Sequence, residues 1–366
     1  MQHPDALTKL TLREVEPFKA GLADMVEEKL KEHLELDQVA KMSFNENPFG
    51  TSPKAREAIK TALDKLHVYH DVDESGLKEK LCRLHEVKPE QVLLGNGADE
   101  VVHMAATAFL KEGDEAIIPQ PTYLQYEVST LVMGASPVYV PPREYKVDTE
   151  GVLSKVTPQT KMIFMCNPNN PTGTMLSRDE MKAFLEAVPD HVVVLIDEAY
   201  FEYVTDPDYP SSTEFLEMGK LIMGVRTFSK IHGLAALRVG YGIGPKALMH
   251  TMARTRMQVN VNYLGLVAAK ASLEDENHIK KVREQTEEEK KFLYEVFSSL
   301  GFEYVPSYGN FIFVDIDTDS EAAALQLAAG GVVVRPGYLF DFPSFLRVTV
   351  GTREQNTFLI NGLKNL

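Results

Sequence analysis

What this chain lacks narrows its class before any motif is considered. Of 366 residues only two are cysteine, Cys82 and Cys166, too few for a disulfide framework or a thiolate metal cluster. Basic residues are outnumbered: 38 Lys and Arg face 53 Asp and Glu, a formal charge of −15. That balance argues against nonspecific binding to nucleic acid or an anionic membrane surface, yet it leaves room for a local cationic pocket. No apolar run reaches the length of a membrane span. The polar opening Met-Gln-His-Pro-Asp-Ala lacks a signal peptide's apolar segment, and the expected place is the cytosol. A Gly-x-Gly-x-x-Gly turn is missing, which counts against a nucleotide-binding oxidoreductase. No helix-turn-helix or basic segment points to a DNA-binding regulator. The polar run of Tyr69, His70, Asp71 and Asp73 has no recognisable ligand spacing, so no metal is expected.

What is present is a long alternation of strand-like and helix-like segments. The length suits one large domain and a smaller one. An amphipathic helix is expected over 22–36 and a short strand over 39–44. Asn45-Glu46-Asn47-Pro48-Phe49-Gly50 then breaks regular structure, with Asn45 and Asn47 open to reading as turn formers or as substrate contacts. Strands near 91–94, 116–118, 136–140, 162–166, 192–196 and 221–225 alternate with helices near 101–110, 123–132 and 178–187. This predicts an open α/β sheet covered by helices on both faces, with ligands bound beyond the carboxyl ends of its strands.

The polar residues fall at that edge. Gly97-Ala98-Asp99 follows one strand, Asn167 and Asn170 another, Asp197 and Tyr200 a third, and Lys230 a fourth. Lys230 sits in Thr227-Phe228-Ser229-Lys230, between an apolar strand and a stretch poor in charge that runs to Arg238. A buried amine there has a lowered pKa and can form a Schiff base. Ser229 and Arg238 are able to hold a phosphate. Pyridoxal 5′-phosphate on Lys230 is the chemistry these residues suggest. Asp197, closing an apolar strand, reads either as a helix N-cap or as the partner of a protonated pyridine nitrogen. Tyr123 reads either as a core aromatic or as a ring lying flat on the cofactor.

After residue 253 the pattern becomes α+β, with a long charged helix over 279–300 and strands ending at Arg335 and containing Arg347. An arginine in an apolar strand requires an anion, either an internal carboxylate or a substrate's carboxylate or phosphate. The expected division is an N-terminal segment 1–44 joining a small domain 256–366, with a large domain 45–255 between them.

Three stretches carry a resemblance: Asn167-Pro168-Asn169-Asn170-Pro171-Thr172-Gly173, Asp197-Glu198-Ala199-Tyr200, and Thr227 to Lys230 continuing through Arg238-Val239-Gly240-Tyr241. With them the chain resembles a fold-type I, aspartate-aminotransferase-like enzyme, of the histidinol-phosphate aminotransferase family. The resemblance implies a mostly parallel seven-stranded sheet sandwiched by helices, plus a smaller α+β domain. It implies transfer of an amino group between L-histidinol phosphate and 2-oxoglutarate in histidine biosynthesis. It assigns Lys230 to the covalent link with pyridoxal phosphate, and Asn170, Asp197 and Tyr200 to the ring. Ala98, Asp99, Ser229 and Arg238 go to the cofactor phosphate, with Tyr69 reaching it across a homodimer interface. Arg347 would clamp the substrate carboxylate or its equivalent end and Arg335 would meet the substrate phosphate, with Asn47 and Phe18 further substrate contacts. Three departures bear on the substrate: Phe18 replaces the family's tyrosine, His70 its proline, and Gln258-Val259-Asn260-Val261 its Pro-Phe-Asn-Val. The alternatives kept open are a phenylalanine or tyrosine aminotransferase, a threonine-phosphate decarboxylase, and a non-enzymatic binding module on the same fold.

Overall fold

The computed structural model describes residue 11, residues 21–71 and residues 75–366. The first strand, β1 (Ala40–Lys41), is set aside from those that follow. Seven strands form the main sheet: β2 (Val92–Gly95), β3 (Glu115–Pro119), β4 (Ser136–Val140), β5 (Thr160–Cys166), β6 (Val193–Asp197), β7 (Ile222–Thr227) and β8 (Gly240–Ile243). Their order is β2-β8-β7-β6-β5-β3-β4. All neighbours run parallel except β8, which is antiparallel to both β2 and β7. The apolar strand β6 lies at the centre and is buried throughout, as its uninterrupted Val-Val-Leu-Ile run requires.

β8 escapes a reading by hydrophobic pattern because Gly-Tyr-Gly-Ile resembles a loop. Its glycines answer to a close approach instead. A Cβ on Gly240 would lie 2.4 Å from the Ala98 nitrogen, and one on Gly242 would lie 2.9 Å from Val101. The strand thus packs directly under the helix Ala98–Phe109, whose Val101, Val102, Met104, Ala105 and Ala106 are buried. Because β8 runs backwards, its first residue meets the carboxyl ends of the parallel strands. Arg238, two residues earlier, is delivered to the same edge as Asp197 and Lys230.

The second unit is a four-stranded antiparallel sheet of β9 (Glu303–Val305), β10 (Phe311–Asp315), β12 (Arg335–Pro336) and β13 (Phe345–Thr349), in the order β12-β13-β10-β9. A two-residue strand β11 (Val332–Val333) pairs in parallel with β1. Its core joins Leu293 and Phe297 of the long helix Glu276–Leu300 to Ile312, Val314, Leu346 and Leu359, with Ala40 and Met42 from the N-terminal side. Each large apolar side chain buried there contributes about 1.5–3 kcal/mol. The architecture is the α/β large sheet plus smaller unit that the sequence implies.

Two expected elements differ. Residues 22–36 are not one helix but a helical turn Leu22–Asp24 and a helix Glu27–Leu34, because Met25 and Val26 are extended. The helix expected from 123 begins at Gln125, which leaves Tyr123 on the loop before it.

Candidate active site

Between the main sheet's edge and the antiparallel unit lies a cleft of about 1180 Å³. The sheet side contributes Ala98, Asp99, Tyr123, Asn170, Asp197 and Tyr200, together with Ser229, Lys230 and Arg238. The opposite side contributes Arg335 and Arg347.

Each side chain is aimed by neighbours that can be named. The Lys230 amine donates to the Phe44 carbonyl at 2.9 Å. Burial, followed by the positive charge of Arg347, lowers its pKa to about 8. Asp197 is buried at the end of β6, and desolvation raises its pKa to about 6. Its carboxylate accepts from the Tyr126 hydroxyl at 2.7 Å and from the Ala199 N–H at 3.0 Å. Tyr126 is a residue that the sequence reading missed. The available clue is its place in the first turn of the helix Gln125–Val132, three residues after Tyr123. It stacks on Phe164 with ring centroids 5.0 Å apart.

A second cluster forms around the start of the helix Ala98–Phe109, whose first-turn N–H groups have no intrahelical acceptors. Arg238 reaches there from a left-handed backbone, φ 49°, a conformation that costs a non-glycine residue about 1–2 kcal/mol. It donates to Ser229 Oγ at 3.2 Å and to Asp99 Oδ2 at 2.9 Å. Gly97 must stay glycine because its backbone sits at φ 85°, and a Cβ there would also lie 2.4 Å from the Arg238 guanidinium. Tyr123 donates to the other Asp99 oxygen at 3.0 Å.

Tyr200 is buried, which pushes its phenol well above the ordinary range and keeps it protonated. Its oxygen accepts from Asn45 Nδ2 at 3.0 Å, so the hydroxyl proton remains available to the cleft. Beneath this layer Arg226 and Glu198 form a fully buried ion pair at 2.8 Å. Glu198 also accepts from the Ser212 backbone and hydroxyl, both at 2.7 Å. The pair joins the end of β6 to the end of β7, next to Asp197 on one side and the Lys230 segment on the other.

Across the cleft, Arg335 and Arg347 are register partners in the antiparallel pair β12–β13 and so project from one face of the sheet. Like charges set opposite each other in this way repel. Arg347 is buried, and this, with Arg335 nearby, lowers its pKa to about 10. Among the described residues it donates to neutral oxygens, Asn170 Oδ1 at 2.6 Å and Ser43 O at 2.5 Å, and its buried Nε meets no partner. Arg335 is balanced by Asp24 at 2.8 Å.

Some expected site residues lie elsewhere. Asn47 does not line the cleft: it donates to Gly50 O and accepts from Phe49 N–H within its own turn, and it donates to Ile231 O next to Lys230. Its amide is spent on the turn, and Asn45 lines the cleft in its place. Tyr69 is 90% exposed and does not line the cleft of its own chain. Phe18 lies outside the described residues.

A family model described as aminotransferase class I and II matches residues 37–363. The chain belongs to that family. It is a pyridoxal-phosphate-dependent aminotransferase with the fold-type I architecture. The histidinol-phosphate aminotransferase of Moorella thermoacetica is 43% identical to it over 340 residues, covering 93% of this chain and 88% of that protein. Histidinol-phosphate aminotransferase 2 of Carboxydothermus hydrogenoformans is 40% identical over 359 residues, covering 98% of each. Among solved structures, the histidinol-phosphate aminotransferase of Sinorhizobium meliloti in complex with pyridoxal-5′-phosphate matches with a TM-score of 0.88 and 25% identity. That match covers 97% of this aminotransferase and 96% of the other chain.

Proposed function

We propose that this aminotransferase moves the amino group of L-histidinol phosphate to 2-oxoglutarate, working as a homodimer in which Tyr69 serves the partner's site. The observation that carries the donor assignment is the pair of guanidiniums on one face of β12–β13, a cationic wall suited to a substrate with an anionic end.

The sheet side suits pyridoxal phosphate. Asp197 is a buried carboxylate with no cationic partner among its hydrogen bonds, so a protonated ring nitrogen would complete it. The first-turn N–H groups of Ala98 and Asp99, with Ser229 and Arg238, offer a phosphate cradle at a helix N-terminus. Asn170 keeps its amide nitrogen, and Tyr200 its proton, for the ring's phenolic oxygen. Tyr123 borders the same space. Once the substrate's amine has taken the place of Lys230, the cofactor would supply an electron sink that eases loss of a proton from the carbon bearing the amine. The Lys230 amine, with its lowered pKa, is the group that takes this proton and gives it back. Arg347 holds the carboxylate of 2-oxoglutarate or glutamate, and Arg335 the phosphate of L-histidinol phosphate.

The dimer draws support from an uncovered apolar strip around Tyr69, in which Leu63, Leu66 and Val68 are 49–56% exposed. One observation favours a phenylalanine or tyrosine donor instead: Arg335 already has a carboxylate at hand in Asp24. The test is kcat/KM for histidinol phosphate, phenylalanine, tyrosine and glutamate in wild type and Arg335→Ala. Histidinol phosphate should lead in wild type, and the mutant should lose roughly 2–5 kcal/mol of transition-state binding toward it, with a much smaller loss toward glutamate. A wild type that prefers phenylalanine, or a mutant damaged equally toward every donor, overturns the assignment.

A further inference from the structure

We propose that Asp24 determines how strongly the cleft selects a phosphate-bearing donor. Its carboxylate occupies Arg335 as an internal stand-in for a substrate anion. A phosphate must displace it, whereas a ligand held by Arg347 alone leaves it in place. This rests on reading Arg335 as the cation on the phosphate side of the cleft.

The two arginines face one another in register yet are treated differently. Among the described residues, Arg347 hydrogen-bonds neutral oxygens alone and its buried Nε has no partner. Arg335 has Asp24, with side chains 15% and 8% exposed. Among the described residues, this end of the cleft thus has two guanidiniums and one carboxylate in direct contact with them, Glu321 and Asp341 also lining the cleft. A single anionic group balances that arrangement, but a phosphate dianion overfills it unless Asp24 withdraws. With Asp24 gone, two guanidiniums meet two negative charges.

The segment carrying Asp24 is built for a small displacement. It is a single turn, Leu22–Asp24, with no fully buried residue, and extended backbone at Met25 and Val26 separates it from the helix that follows. Asp24 is aimed by the Gly21 N–H, which donates to its second oxygen at 2.9 Å. The turn is tied to the other arginine through Ser43. The Ser43 hydroxyl donates to the Ala23 carbonyl at 2.7 Å, and the Ser43 carbonyl accepts from Arg347. Whatever engages Arg347 thus touches the residue that steadies the Asp24 turn.

The test uses the holoenzyme and inorganic phosphate as probe. Its inhibition constant is measured against whichever donor wild type uses best, and its affinity by calorimetric titration. Asp24→Asn keeps the shape and an acceptor for Gly21, and it should bind phosphate roughly tenfold more tightly, since like charges no longer meet. In an Arg335→Ala background the same substitution should bring no gain. The ratio of kcat/KM for histidinol phosphate over phenylalanine should rise in Asp24→Asn. Asp24→Ser serves if the asparagine variant folds poorly. Phosphate binding that is unchanged or weaker in Asp24→Asn, or a gain that survives loss of Arg335, overturns the proposal. A wild type inactive toward histidinol phosphate overturns the donor assignment, and the phosphate titration then still decides the role of Asp24.

Discussion

On the sheet wall of the cleft and just beneath it, each arginine is matched by a carboxylate from an adjacent strand or loop: Arg238 by Asp99, Arg226 by Glu198. On the opposite wall, Arg347 has no carboxylate among its hydrogen bonds, and Arg335 has one that arrives from 311 residues away. The difference follows from what each wall does. A surface that holds one constant group can be arranged in advance. An aminotransferase must also admit a donor and an acceptor in turn, so the wall that meets them keeps part of its charge uncommitted.

Three substitutions probe that contrast. Lys230→Ala removes the only amine that the sheet wall offers the reacting carbon, and kcat should fall by about a thousandfold or more. Steady-state assays with a saturating donor check this, and near-normal turnover would remove Lys230 from its assigned role. Glu198→Gln strands the Arg226 guanidinium in the interior and should cost about 3–5 kcal/mol of stability. Denaturant unfolding measures it. A loss below about 1 kcal/mol would place the pair with weak surface ion pairs and remove it from what arranges this wall in advance.

The smallest effect is one component of Arg347→Gln: beside weaker carboxylate binding, kcat at saturating donor should be displaced along the pH axis. Lys230 acts as a base when neutral, so a kcat limited by proton transfer rises as pH passes through about 8 and levels off above it. After burial, the positive charge of Arg347 is the next cause holding that pKa down. Without the charge the pKa moves up, and the rising limb moves to higher pH. A limb that stays put or shifts downward would show that the two walls are not electrostatically linked.

The residues legible in the sequence are those whose role depends on a contiguous stretch. Asp197 ends an apolar strand, and Lys230 follows another within three residues, so sheet topology alone delivers both to one edge. Side-chain partners remote in the chain were not legible. Nothing near Asp24 signals Arg335, and nothing in the alternation Asn45-Glu46-Asn47 says which asparagine faces inward. That choice is made by the left-handed backbone at Asn45, φ 55°, which a short polar side chain tolerates. Tyr126 was hidden for a related reason: helical spacing shows that it faces the sheet, but not that a carboxylate waits there. β8 was hidden because its glycines serve the helix above it and erase the strand pattern.

The pairing of β1 with β11 has a consequence for how the chain is made. Ala40 pairs with Val332, so the first strand leaves the ribosome roughly 290 residues before its partner exists. At about 5–20 residues per second that is a wait of roughly 15–60 s. During this interval Ala40 and Met42, both bound for the second core, have nowhere to bury. The main sheet is complete by Ile243 and can form within that time, so the nascent enzyme passes through a stage in which one layer is folded and the N-terminal segment trails beside it, open to chaperones and proteases.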